Sequence, residues 1–161
     1  LIRAMASIRD QFPSITLKVA GRPVDDDYYL RLKDLIAQLG LNGNIEFLGH
    51  VGGTELRDLY LQCGVFVFPS TVETFGNPLV EAMACGAPIA SSNTAAMPEV
   101  LGDAASFFDP HRVDDMAETI ADLLADENKR QDLSDRASQR AKTYSWESTM
   151  RRTVDVILAP T

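Results

Sequence analysis

This 161-residue sequence predicts an α/β fold, a doubly wound parallel sheet with flanking helices. Three observations carry the prediction. Short apolar runs alternate with stretches of helical periodicity five times, the pattern of a parallel sheet whose crossovers are helices. One run, Val65 to Phe68, lacks polar alternation and so reads as a strand buried on both faces. The chain opens on a helix, whereas such a sheet normally opens on a strand, so a first strand is expected upstream of Leu1.

Taken in order, Leu1 to Phe12 reads as a helix, with Ile2, Met5, Ile8 and Phe12 at helical spacing and Pro13 ending it. Ile15 to Ala20 is a strand, followed by a turn at Gly21, Arg22 and Pro23. Asp25 to Leu39 is a helix closed by Gly40. Ile45 to Leu48 is a short strand, and Thr54 to Gln62 a helix capped by Thr54 or its neighbour. After the strand Val65 to Phe68 comes a loop, Pro69 to Asn77. Pro78 opens a short helix in the first-turn position that proline favours, and Cys85-Gly86 closes it. Pro88 to Ser91 is a strand, Met97 to Leu101 a turn of helix, and Ser106 to Phe108 a last strand. Residues 113–125 place Val113, Met116, Ile120 and Leu124 on one helical face, and helices follow near 129–143 and 146–158. The whole reads as one domain, 1–161.

Composition narrows the function classes. Hydrophobic residues make up 45% and charged residues 24%, values of an ordinary globular chain. The net charge is −8, spread evenly: residues 1–102 carry 7 basic and 11 acidic groups, residues 103–161 carry 8 and 12. With no basic stripe, nucleic acid is not expected as a partner. Cys63 and Cys85 fit no zinc or Cys-x-x-Cys spacing and read as reduced, buried thiols of a cytoplasmic protein. No apolar run reaches the ~18 residues of a membrane span.

Several chemistries lack their motif. There is no glycine fingerprint for a dinucleotide, no P-loop, no His-Glu-x-x-His and no Gly-x-Ser-x-Gly elbow. Asp25, Asp26 and Asp27 could share a divalent ion, but an acidic cluster at a helix start is better explained by capping and by the positive end of the helix dipole. No metal site is expected.

The informative stretch runs from Pro69 to Gly86. A buried strand feeds a polar loop, and the loop feeds a helix N-terminus at the carboxyl end of the strands, where ligands of open α/β sheets bind. Such a helix start offers free N–H groups and partial positive charge to a phosphate, and Gly76 lets the backbone come close. Glu73 precedes the helix and Glu81 lies about one turn into it. A carboxylate beside a phosphate needs another task, and binding paired sugar hydroxyls is one. Two acids flanking a phosphate-binding helix start suggest ribose, diphosphate and hexose in a row. From the residues alone, Glu73 as a loop surface charge and Glu81 as a solvated helix residue stay open.

The pattern Glu73-x7-Glu81 has characteristic flanks: Phe47-Leu48-Gly49, Val67-Phe68-Pro69-Ser70, Thr74-Phe75-Gly76, Ala82-Met83-Ala84-Cys85-Gly86-Ala87-Pro88 and Pro98-Glu99-Val100. In this order it resembles the family-four retaining glycosyltransferases of the GT-B fold, over nearly the whole chain. The resemblance implies a Rossmann-like donor-binding domain, the C-terminal half of a longer enzyme. Glu73 would be the catalytic-site carboxylate, beside the donor sugar, and Glu81 would bind the ribose hydroxyls. Amides at Phe75, Gly76, Asn77 and Leu79 would contact hexose and phosphate. The turn at His50 and Val51 would lie near the base.

The same resemblance implies a nucleotide-sugar co-substrate, GDP- or UDP-linked, with no metal or other cofactor. The run from Ser92-Asn93 to Phe108-Asp109-Pro110 leans toward mannosyltransferase-like members and GDP-mannose. The family's basic pair, an Arg and a Lys about five residues on, follows the first strand and is expected before Leu1. A glycan or lipid-linked acceptor would meet the donor through an N-terminal domain absent here, so this piece alone is not expected to catalyse. Membrane contact, if peripheral at the inner face, would also lie in that half. A GT-B epimerase or phosphorylase, or a non-catalytic nucleotide-binding module, stands as the alternative.

Overall fold

The computed structural model describes residues 1–159. Its elements run α1 (Ile2–Gln11), β1 (Leu17–Ala20), α2 (Asp26–Gln38), β2 (Ile45–Gly49), α3 (Gly53–Gln62), β3 (Phe66–Phe68), α4 (Asn77–Ala84), β4 (Ile89–Ser92), α5 (Met97–Leu101), β5 (Ser106–Phe108), α6 (Val113–Ala125), α7 (Glu127–Ala141) and α8 (Trp146–Leu158). Every strand pairing is parallel, and helices link the strands, as the alternating pattern predicts.

The strands form two hydrogen-bonded groups, β1–β2 and β3–β4–β5. One correction follows. The doubly buried strand is β4, all four of whose residues are buried, while Phe66, Val67 and Phe68 of β3 are only half-buried. The reason is position: β4 lies between β3 and β5, whereas β3 has a strand partner on one side only among the described residues. β4 therefore divides the interior. Ala90 joins one core with Met5 and Ile8 of α1, Phe108 of β5 and Met116 and Ile120 of α6. Ile89 joins the other with Leu79, Ala82 and Met83 of α4 and Met97, Val100 and Leu101 of α5. Period-two alternation along one strand thus feeds helical layers on both faces.

Local chemistry sets the boundaries. The Asp25 carboxylate accepts the Tyr28 amide at 2.7 Å, so this acid caps α2, with Asp26 and Asp27 in its first turn. The N-cap of α3 is Gly52 with no side-chain bond, and Thr54 lies inside the helix. α7 begins at Glu127, earlier than its apolar spacing indicates, because Asp126 both ends α6 and accepts the Lys129 amide at 3.0 Å. Gly86 ends α4 at φ +68°, with its carbonyl bound by Ser134 of α7 at 2.6 Å. That bond fixes α4 against α7 and so fixes the start of α4 at the carboxyl edge of the sheet.

Candidate functional site: a loop of free amides at the start of α4

The loop from Pro69 to Gly76 leaves β3 at its carboxyl end and enters α4. Its base is tied to β4 and the segment beyond. The buried Ser92 hydroxyl donates to the Ser70 carbonyl, and the Thr94 hydroxyl donates to the Thr71 carbonyl at 3.3 Å. Its far end is set by Gly76, the N-cap of α4, at φ +83° and ψ +66°. Only glycine takes that left-handed conformation at low cost. A Cβ here would also stand 3.0 Å from Leu79 Cδ1, a buried core atom.

This geometry leaves amides without a partner. Among the described residues, the N–H groups of Phe75, Gly76 and Asn77 donate to no backbone carbonyl or side-chain oxygen. Leu79 differs: its amide donates to the Gly76 carbonyl at 2.9 Å and its side chain is fully buried, so it closes the turn. Pro78 has no N–H to offer. No acidic residue stands in the first turn of α4 to neutralise it, and no side chain caps it. Free amides around a left-handed residue, at the positive end of a helix, are the arrangement of groups that suits an anion.

The two acids bracket this helix start. Glu73 is half-buried, four residues before α4, and its Oε1 accepts a long contact from Ser70 Oγ at 3.5 Å. Glu81, the fifth residue of α4, is exposed and accepts a long bond from the Tyr60 hydroxyl of α3 at 3.4 Å. Tyr60 is buried, and its ring meets Phe66 of β3 edge-on at 5.1 Å. Burial, and then the neighbouring Glu81 carboxylate, hold its hydroxyl well above the usual tyrosine range. The tyrosine thus stays a neutral donor to Glu81 at any ordinary pH. Nothing in the sequence singled out Tyr60 beyond its place in a helix.

His50 and Val51 lie in the turn after β2, exposed and half-buried respectively, also at a strand's carboxyl end. No hydrogen bond joins that turn to the α4 loop among the described residues. Two open hollows lie elsewhere, one of about 280 Å³ between α1 and α6 with Ser7, Gln11, Asp114 and Glu118, the other of about 470 Å³ at the α6–α7 junction. Neither contains a candidate residue.

Ala95, in the turn after β4, has φ +49°, the one non-glycine residue with positive φ among those described. It stands beside Thr94, which holds the loop base, and no sequence signal pointed to it. Cys63 and Cys85 are free and half-buried, and burial pushes the Cys63 thiol up to about 11. No three His, Cys, Asp or Glu side chains converge as metal ligands, and no helix is long and apolar enough to cross a membrane, among the described residues.

An α/β domain with free amides at a helix start is a shape shared by many nucleotide-binding proteins. Comparison with known proteins narrows it. Residues 1–140 match the family described as Glycosyl transferases group 1. The chain is 40% identical over 113 residues to the O-antigen chain mannosyltransferase B of Escherichia coli, covering 70% of this chain and 30% of that protein. It is 32% identical over 167 residues to the D-inositol 3-phosphate glycosyltransferase of Salinispora tropica, covering 97% of this chain and 34% of the other. Among solved structures, it superposes on HepE from Anabaena, crystallised with UDP-glucose, with a TM-score of 0.86 at 25% identity, over 99% of this chain and 44% of that one. It superposes on the C-terminal domain of LpcC, a group 1 glycosyl transferase from Francisella tularensis, with a TM-score of 0.78 at 26% identity, over 88% of this chain and 75% of that domain. The chain belongs to the group 1 glycosyl transferases and has the fold of GT-B enzymes. It spans about a third of the length of these curated relatives.

Proposed function

We propose that this chain is the donor-binding half of a retaining glycosyltransferase that moves a hexose from a nucleoside diphosphate sugar to an acceptor. The observation that carries the reading is the row of free amides at Phe75, Gly76 and Asn77, set between Glu73 and Glu81. The amides and helix dipole would take the diphosphate. Glu81, steadied by Tyr60, would hold the ribose hydroxyls, and Glu73 the hexose. The Leu79 amide would enter only by giving up its bond to Gly76. The base would lie toward His50 and Val51.

In the reaction the bond between the anomeric carbon and the diphosphate breaks. Negative charge builds on the leaving phosphate, where fixed donors stabilise it without reorganising. We propose that no metal takes part, the charge being met by backbone amides and by basic residues elsewhere in the longer protein. That protein would place a further strand between β1 and β3, and a second domain, holding a glycan or lipid-linked acceptor, over the open loop. Closure between two domains would keep water from the donor. GDP-mannose is favoured as the donor by the mannosyltransferase relatives, and UDP-hexose by the UDP-glucose held in HepE. Free thiols suit a cytoplasmic setting.

Calorimetric titration of the chain with GDP and UDP tests the reading. One of them binds, with EDTA present, and Glu81→Ala weakens it about ten- to a hundredfold, since a charged hydrogen-bond acceptor contributes about 1.5–3 kcal/mol. Unchanged affinity in that variant removes Glu81 from the site, and no binding of either nucleotide by the wild type rejects the donor-domain reading. A sugar phosphate as the product of the longer protein, in place of a glycoside, favours a phosphorylase.

A further inference from the structure

We infer that Tyr144 is a positioning residue for the donor loop, acting through Phe75. The inference rests on the donor-site reading only for its consequence. Its geometry is independent of any ligand. The loop is hydrogen-bonded at its base through Ser70 and Thr71, and Gly76 is wedged at its far end. Between these points Phe75 carries an aromatic contact. The Phe75 ring, 39% exposed, meets the half-buried Tyr144 ring edge-on, with centroids 5.6 Å apart and planes at 70°.

Tyr144 is itself held from two directions. Its hydroxyl donates to the Val100 carbonyl at 2.9 Å, and its amide donates to the Ala141 carbonyl at 3.0 Å. The Val100 carbonyl also accepts from Arg140, which reaches Glu99 as well, so α5 and the end of α7 are joined at this point. Tyr144 therefore transmits the rigidity of the α5–α7 junction to a loop whose free N–H groups make no bond that would keep them still. Donors fixed in place before binding lose less freedom when the ligand arrives. The residue after Tyr144 is Ser145, which caps α8 by accepting the Ser148 amide at 3.1 Å, so the same tyrosine marks where α8 departs.

The test uses the 161-residue chain and three single variants, Tyr144→Leu, Tyr144→Phe and Phe75→Leu, with the double leucine variant. Nitrogen-15 relaxation without ligand reports the backbone order of residues 75–77. Order parameters in the rigid range, about 0.85, are expected for wild type, a fall toward about 0.6 for Tyr144→Leu and Phe75→Leu, and an intermediate value for Tyr144→Phe, which keeps the ring contact and loses the hydroxyl bond to Val100. Nucleotide affinity should drop about two- to tenfold in either leucine variant, recover in part in Tyr144→Phe, and drop no further in the double variant. Because Phe75→Leu alters an exposed ring, it keeps the test valid if Tyr144→Leu fails to fold. Unchanged order in the Phe75→Leu loop, equal loss in Tyr144→Phe and Tyr144→Leu, or additive losses in the double variant would overturn the inference. Amides loosened in the leucine variants, together with a wild type that binds neither GDP nor UDP, would instead uphold the role of Tyr144 and reject the donor-site reading.

Discussion

Tyr60 and Cys63 show how burial acts on single groups at the end of α3. Both belong to the last turn of α3 and its end, and burial raises both above their ordinary ranges, Cys63 from 9.0 to about 11. A raised pKa means that the folded state prefers the neutral form. The stabilisation is complete below the unfolded pKa and is lost as pH climbs through the folded one. Urea midpoints should therefore hold steady up to pH 9, fall between pH 9 and 11 as the unfolded thiol ionises, and fall more steeply above pH 10 as tyrosine joins it. Cys63→Ala should flatten the first part of the fall, and a wild-type midpoint that stays level to pH 11 would contradict the burial argument. None of this was legible in the sequence. The thiols fitted no motif, and the Tyr60–Glu81 contact joins residues 21 apart on two helices.

At the scale of elements, α4 and its loop are where sequence and structure agree most closely. Gly76 and Pro78 mark the helix start from composition alone, because one residue tolerates positive φ and the other lacks an N–H. What the sequence hid was how the amides divide. Phe75, Gly76 and Asn77 keep theirs free, while Leu79 spends its own on the Gly76 carbonyl, a choice set by backbone angles. Gly76→Ala tests that geometry. Holding alanine at φ +83° costs roughly 1–2 kcal/mol, and the new methyl presses on Leu79. The variant should lose about that much stability in chemical denaturation and about tenfold or more in nucleotide affinity. An unchanged variant would mean that the turn is not held as described. The strand misreading belongs here too. Val-Phe-Val-Phe promised a doubly buried strand, but burial depends on sheet neighbours, and β4, with two polar serines, holds the central place.

Seen whole, the molecule keeps one helix out of its core. α8 buries no residue, yet Trp146, Met150, Val154 and Leu158 recur every four positions, with exposures of 90%, 63%, 45% and 74%. Helical periodicity revealed this element correctly but did not show that none of its described residues would be buried. An uncovered stripe of this kind drives association. Sedimentation velocity should show concentration-dependent dimers or larger species of the chain, reduced by Met150→Lys combined with Leu158→Lys. A monomer at every concentration would show that α8 hides its stripe by other means.

The central claim is that the peptide groups at the mouth of α4 receive a diphosphate. Amide chemical shifts followed during titration with GDP or UDP test it most directly. The account predicts that Phe75, Gly76 and Asn77 move first and furthest, with Glu81 and the His50–Val51 turn following as the ribose and base settle. Shifts confined to the α1–α6 hollow, or a spectrum in which those three amides stay still while nucleotide binds, would contradict it.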